Sequence, residues 1–166
     1  MRKFFLLIFA CFIINSLKAQ EVNRKIGVGL QTSFPVYGIS VKYGISNSSV
    51  IQAVVAPFGA KSGGASASLN FYGLRYIYRF PGNDEKSVVL DPYLFGGGGL
   101  IHYSISDGTD KTSDNVFGYS LGGGLEVILL KGLGISAEVG YGKLSFTGGI
   151  AVNSIIAGGG LHYYFK

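Results

Sequence analysis

The sequence predicts an all-β fold: an eight-stranded antiparallel up-and-down transmembrane β-barrel. Eight segments alternate apolar and polar residues with a period of two. The C-terminal segment IIAGGGLHYYFK sets Ile155, Ala157, Gly159, Leu161, Tyr163 and Phe165 on one face and Ile156, Gly158, Gly160, His162, Tyr164 and Lys166 on the other. A strand that alternates this way and carries aromatics near its end suits the closing strand of a barrel in lipid. The third observation is at the other end of the chain, which opens on a secretion signal.

That signal is predicted over residues 1–19, with residues 20–166 forming the barrel domain. Arg2 and Lys3 supply the charged start, and Phe4 to Ile14 is an apolar run of eleven residues, too short to span a bilayer. Leu17 and Ala19 precede a cleavage site at Gln20. Cys11 is not a lipoprotein cysteine, because the apolar run continues past it through Phe12, Ile13 and Ile14. Loss of Arg2, Lys3 and Lys18 lowers the formal charge from +5 to +2, with 11 basic residues against 9 acidic ones. The basic balance of the full chain is therefore no argument for nucleic-acid binding. Cys11 is the only cysteine, so the exported chain is expected to hold no disulfide, thiolate metal site or cysteine nucleophile. The 147 residues that remain are enough for one domain.

Glycine is abundant, at 27 of 166 residues, yet Tyr, Phe, Ile, Leu and Val are abundant too. A disordered glycine-rich chain lacks such residues. Glycine within strands points instead to close packing and strong curvature. No later segment offers eighteen consecutive apolar residues, so no transmembrane helix is expected.

Strand one is predicted over 25–34, with Ile26, Val28, Leu30 and Thr32 on one face. Strand two, 36–46, sets Tyr37, Ile39, Val41, Tyr43 and Ile45 against Gly38, Ser40, Lys42 and Gly44, and Asn47-Ser48-Ser49 turns the chain. Strand three covers 50–58 with ambiguous facing, and a small polar loop runs from Gly59 to Ala67. Strand four, 68–80, sets Tyr72, Leu74, Tyr76, Tyr78 and Phe80 against Gly73, Arg75, Ile77 and Arg79; the charged turn PGNDEKS follows. Strand five spans 89–105, and SDGTDKTSDN is a loop from Ser106 to Asn115. Strand six, 116–130, alternates most clearly: Phe117, Tyr119, Leu121, Leu125 and Val127 oppose Gly118, Ser120, Gly122, Gly124 and Glu126. Lys131-Gly132 forms a tight hairpin. Strand seven, 133–146, sets Leu133, Ile135, Ala137, Val139 and Tyr141 against Gly134, Ser136, Glu138, Gly140 and Gly142, and residues 147–151 lead into strand eight. GGGL recurs at Gly97, Gly122 and Gly158, too irregularly for a propeller or solenoid.

A soluble barrel hides its apolar face and shows charge outside. Here the polar face carries mainly Gly and Ser, which suit a narrow interior. Lys42, Arg75, Arg79, Glu126 and Glu138 then point inward, where burial requires that they pair. They are expected to plug the lumen, because eight strands leave room only for side chains. Leu125 and Glu126 should face opposite ways, into lipid and lumen. Threading the strands up and down sorts the aromatics into two belts. Phe34, Tyr37, Phe58, Tyr72, Tyr103, Phe117, Tyr119 and Tyr141 fall near the outer ends. Tyr43, Tyr76, Tyr78, Phe80, Tyr93, Tyr163 and Phe165 fall near the periplasmic ends. Such belts mark the two lipid interfaces.

On its strand number, its alternation, the PYLFGGGGL segment and the ending GLHYYFK, the chain resembles the small eight-stranded outer-membrane β-barrel proteins, the OmpA/OmpX-like group. The resemblance covers residues 24–166. The Ala19-Gln20 junction and the ending also resemble Bacteroidota proteins, although Lys166 follows Phe165 where such barrels usually end on the aromatic residue. The resemblance implies an outer-membrane location with lipid and lipopolysaccharide as surroundings, insertion by the barrel assembly machinery, and a structural or partner-binding role with no open pore and no cofactor.

An alternative rests on His102-Tyr103-Ser104, which resembles the His-x-Ser pair of outer-membrane lipid A deacylases, where histidine activates the serine. This chain has Ile105 where that family has Asn, and no acid at the corresponding later strand position. The facing expected for strand five also turns His102 and Ser104 inward, away from lipid. Asp107, Asp110 and Asp114 share a loop but lack a calcium-loop signature, so a solvated loop is expected rather than a metal site. His162 is expected to pack inside. The glycine pairs of strand one are not phosphate loops, since no helix follows them.

Overall fold

The computed structural model describes residues 25–33, 35–80, 88–107, 109–129 and 132–165. Eight strands follow one another: β1 (Ile26–Ser33), β2 (Val36–Gly44), β3 (Ser49–Ser62), β4 (Ala65–Arg79), β5 (Val88–Ser106), β6 (Lys111–Leu129), β7 (Leu133–Phe146) and β8 (Ala151–Phe165). Each pairs antiparallel with its sequence neighbour, and β1 closes on β8 with Ile26 opposite Phe165 and Gln31 opposite Gly160. Closure leaves every strand paired on both sides over its lower part, which a sheet in hydrocarbon requires. No helix among the described residues is long and apolar enough to cross a membrane.

Turn chemistry fixes the register. Gly63 and Gly64, with φ of 56° and 88°, connect β3 to β4, and Gly148 and Gly149, at 97° and 85°, connect β7 to β8. Two successive residues of positive φ give a hairpin whose twist matches that of the strands. These tight turns lengthen the strands beyond the sequence expectation. Most of the expected loop 59–67 is strand. In the expected loop 106–115, β5 runs to Ser106 and β6 already starts at Lys111, and β8 starts at Ala151. The signal segment, Cys11, Phe34, the PGNDEKS turn, Lys131 and Lys166 lie outside the described residues.

The alternation resolves the ambiguous facing of β3 and fixes that of β5. In β3, Val50, Gln52, Val54 and Ala56 turn inward; in β5, Val89, Asp91, Tyr93 and Phe95 do. Four expected belt aromatics are corrected, Tyr37 among them, because its ring meets that of the inward-facing Phe71 two strands away at 5.7 Å. Tyr93 is buried in the lumen, because it shares the parity of Asp91. Phe58 and Tyr103 also have inward parity, since the β3–β4–β5 ladders run without a bulge from the buried rows upward. The outer face holds Ile26, Val28, Leu30, Ile39, Val41, Leu74, Leu94, Leu121, Leu125, Ile135, Val139 and Leu161, all exposed. That surface is the reverse of a soluble protein's, and it suits lipid.

Candidate functional site

Every strand contributes to the lumen. Among the described residues six charged side chains are buried there: Lys42 from β2, Arg75 and Arg79 from β4, Asp91 from β5, Glu126 from β6 and Glu138 from β7. Three cations balance three carboxylates, the condition under which buried charge is tolerated.

Two centres organise them. At the first, Lys42 Nζ donates to Glu126 Oε1 at 2.9 Å, and the Arg79 guanidinium lies 3.7 Å from Oε2. Tyr164 Oη sits 2.8 Å from both carboxylate oxygens and accepts from Arg79 Nη2 at 2.9 Å. At the second, Arg75 Nη2 donates to Glu138 Oε2 at 2.9 Å and Tyr93 Oη donates to Oε1 at 2.7 Å. Ser33 Oγ also donates to Glu138. The plane of Arg75 rests 4.1 Å from the Phe95 ring centroid, a cation–π contact that holds a long side chain across the lumen.

A chain of neutral groups continues from the second centre. Gln31 Nε2 donates to Ser33 Oγ at 2.8 Å, and Gln52 Nε2 reaches Gln31 Oε1 at 2.9 Å and Ser40 Oγ at 2.7 Å. Ser40 Oγ meets His162 Nε2 at 2.9 Å. His162 is thus a packed interior histidine.

All five sequence-expected lumen residues are brought together: Lys42, Arg75, Arg79, Glu126 and Glu138. Sequence reasoning missed Asp91, which pairs in register with Glu126, and missed the two tyrosines as ligands of the carboxylates. The signal for Asp91 was its parity with Tyr93 and Phe95, masked because Pro92 and the glycine run of β5 blur the alternation. Glycine makes the crowding possible. A Cβ on Gly97 would lie 2.4 Å from Leu74 O and 2.7 Å from Arg75 Cγ, and one on Gly134 would lie 2.9 Å from Glu126 Oε1.

The expected inward facing of His102 and Ser104 is corrected. Both fall on the outer face, in line with Leu94 and Leu100, because β5 runs through the glycines without a change of register. His102 Nδ1 bonds Asn115 Oδ1 at 2.9 Å, an amide rather than a carboxylate. The loop aspartates do not converge. Asp107 Oδ1 accepts the backbone N–H of Asp110 at 2.8 Å and of Thr109 at 3.0 Å, and these donors hold its carboxyl below the usual range. Asp114 is engaged by Thr147 Oγ1 and the Asn115 N–H, with the same effect. Among the described residues no group of three His, Cys, Asp or Glu is placed to hold a metal ion.

No protein-family model matches the chain, and no curated protein matches it. Solved structures do. The N-terminal β-barrel domain of Pseudomonas aeruginosa OprF aligns with a TM-score of 0.56 at 18% identity, covering 84% of this chain and 95% of that one. The Neisserial surface protein A aligns with a TM-score of 0.51 at 18% identity, covering 84% and 93%. At such identity the likeness concerns architecture: the chain has the closed eight-stranded antiparallel barrel fold of small outer-membrane proteins.

Proposed function

We propose that the chain is an integral outer-membrane protein with a structural or interaction role, exported by a cleaved signal, and that its lumen carries no open pore. The observation that carries this reading is the lumen itself. Arg75 and Glu126, each 1% exposed, are held in ion pairs that cross the lumen, Arg75 from β4 to Glu138 on β7 and Glu126 on β6 to Lys42 on β2. A barrel filled this way is a rigid scaffold that displays its rims. Lipid and lipopolysaccharide meet the apolar belt, and the barrel assembly machinery inserts the chain. The Ala19-Gln20 junction and the C-terminal segment support a Bacteroidota-type origin.

His102 is engaged by the Asn115 amide rather than by a carboxylate, which argues against a catalytic pair with Ser104. Cell fractionation with gel electrophoresis tests the reading. The protein should pellet with outer membranes and migrate differently before and after boiling. Recovery in the soluble periplasm contradicts it. Incubation with lipopolysaccharide, followed by mass spectrometry, should release no fatty acid. Release that disappears in Ser104→Ala and His102→Ala would establish the deacylase alternative instead.

A further inference from the structure

The polarity of the sheet inverts where the strands leave the apolar belt. Read straight across the register from β3 to β6, one outer row is Val55, Tyr72, Leu100 and Phe117. The outer rows above it are Pro57, Asn70, His102 and Asn115, then Gly59, Ser68, Ser104 and Ser113, then Lys61, Ser66, Ser106 and Lys111. The inner face changes in the opposite sense. Above the row of Gln52, Arg75, Gly97 and Ser120 come Val54, Gly73, Gly99 and Gly118, then Ala56, Phe71, Ile101 and Val116, then Phe58, Leu69, Tyr103 and Asp114, then Ala60, Ala67, Ile105 and Thr112. Below the boundary the sheet is apolar outside and holds the lumen charges inside beside Val50, Ile77 and Phe95; above it the outer face is polar and the inner face mostly apolar. A sheet that is polar outside and apolar inside is built for water with its inner face covered.

That inner face is uncovered. The β2–β3 ladder ends at Ile39 opposite Val55 and the β1–β8 ladder at Gln31 opposite Gly160, so the wall stops early on that side while β3 to β6 rise further. Phe58 is 54% and Ile105 59% exposed. Between them lies a cleft of about 390 Å³, walled by Phe58, Leu69, Tyr103 and Ile105 over a floor of Ala60 and Ala67. Phe71 braces its lower end by edge-on contacts with Phe58 at 6.1 Å and Tyr37 at 5.7 Å.

We propose that this cleft binds a small, uncharged, apolar molecule taken from the external medium, a reading that rests on the membrane orientation above. Its volume lies in the range of small-ligand sites, about 300–1,000 Å³. Its lining is far smaller than the roughly 20–30 residues a side of a stable protein interface, which argues against a second copy. No charged side chain lines it, and Tyr103 offers a side-chain hydroxyl while Ser68 turns its own to the outer face, so the ligand carries no charge and few polar groups. The bilayer is not the source: the cleft opens toward the barrel axis, and polar rows separate it from lipid on the outside.

The test uses the protein in phosphatidylcholine nanodiscs, with 1-aminoanthracene as a neutral fluorescent probe and empty discs as baseline. One saturable site per chain is expected above partitioning. Ala67→Trp, which fills the cleft, should weaken binding about tenfold or more, whereas Ser113→Trp, the same indole on the outer face at similar height, should leave it unchanged. Ile105→Asn provides a second cleft variant, and the boiling-dependent gel shift confirms that each variant folds. Probe uptake equal to empty discs, or equal loss in Ala67→Trp and Ser113→Trp, overturns the cleft. A chain that does not enter discs at all overturns the membrane reading and the cleft with it; one that enters and binds nothing overturns the cleft alone.

Discussion

Glu126 gathers Lys42, Arg79 and Tyr164 around one carboxylate at a position 1% exposed. Its neighbour Leu125 is 43% exposed on the outer face. Removing one charge of a buried pair costs about 3–5 kcal/mol, because the partner stays buried and unpaired. Gln keeps an acceptor for Lys42 and Tyr164, so Glu126→Gln belongs at the lower end of that range. Leu125→Arg places a cation in lipid at about 2–4 kcal/mol. Both variants should lower the urea midpoint of refolding into vesicles by similar amounts. Adding Lys42→Met to Glu126→Gln should recover part of the loss, the coupling expected of a contacting pair. A silent Leu125→Arg would mean that β6 faces the other way. The facings of Leu125 and Glu126 were readable from sequence because β6 alternates without interruption. The identity of the Glu126 partners was not, since cross-barrel distances depend on shear, which alternation does not encode.

At the scale of the element, glycine sets how closely strands approach. Gly122 and Gly140 face each other across β6 and β7, and a Cβ on Gly122 would lie 2.3 Å from Val139 O and 2.8 Å from Phe95 Cζ. Backbone cannot yield that space, so Gly122→Ala should destabilise by about 1–3 kcal/mol through overpacking. Gly123 faces outward, where a Cβ meets Tyr93 O at 3.4 Å and Leu94 Cδ2 at 3.5 Å. Gly123→Ala should change stability by no more than about 0.5 kcal/mol. Thermal melts in detergent compare the two, and equal effects would contradict the register of β6. Strand number and order were readable from sequence, because turn residues separate eight alternating runs. Strand length was not. The segments 59–62 and 111–115 are small and polar and look like loop, yet neighbouring strands extend them as ladders beyond the apolar belt. Their outer faces are polar because they meet water, and a rule that seeks outward apolar residues misses them. The same rule placed Phe58 and Tyr103 in the outer belt and concealed the cleft.

For the whole molecule, the proposal of no open pore rests on the lumen network and the small strand number together. Planar-bilayer recordings of the pure protein should show a closed state with rare, small openings. Large and steady conductance would mean that the ion pairs of Arg75, Arg79 and Lys42 do not hold.

The central claim is that one sheet reads apolar-out through the bilayer and polar-out above it. Spin labels placed in turn along β6, from Lys111 to Leu129, test it most directly. Cys11 is the only cysteine of the chain, so a chain starting at Gln20 gives a clean background. Accessibility to oxygen, which concentrates in lipid, is compared with accessibility to a water-soluble nickel chelate, in vesicles. Labels at Phe117, Tyr119, Leu121, Leu125 and Val127 should be reached by oxygen, and those at Ser120, Gly124 and Glu126 by neither reagent. At Ser113 and Asn115 the nickel chelate should prevail. Accessibility without a period of two, or a nickel chelate that reaches Leu121 and Leu125, would contradict the account.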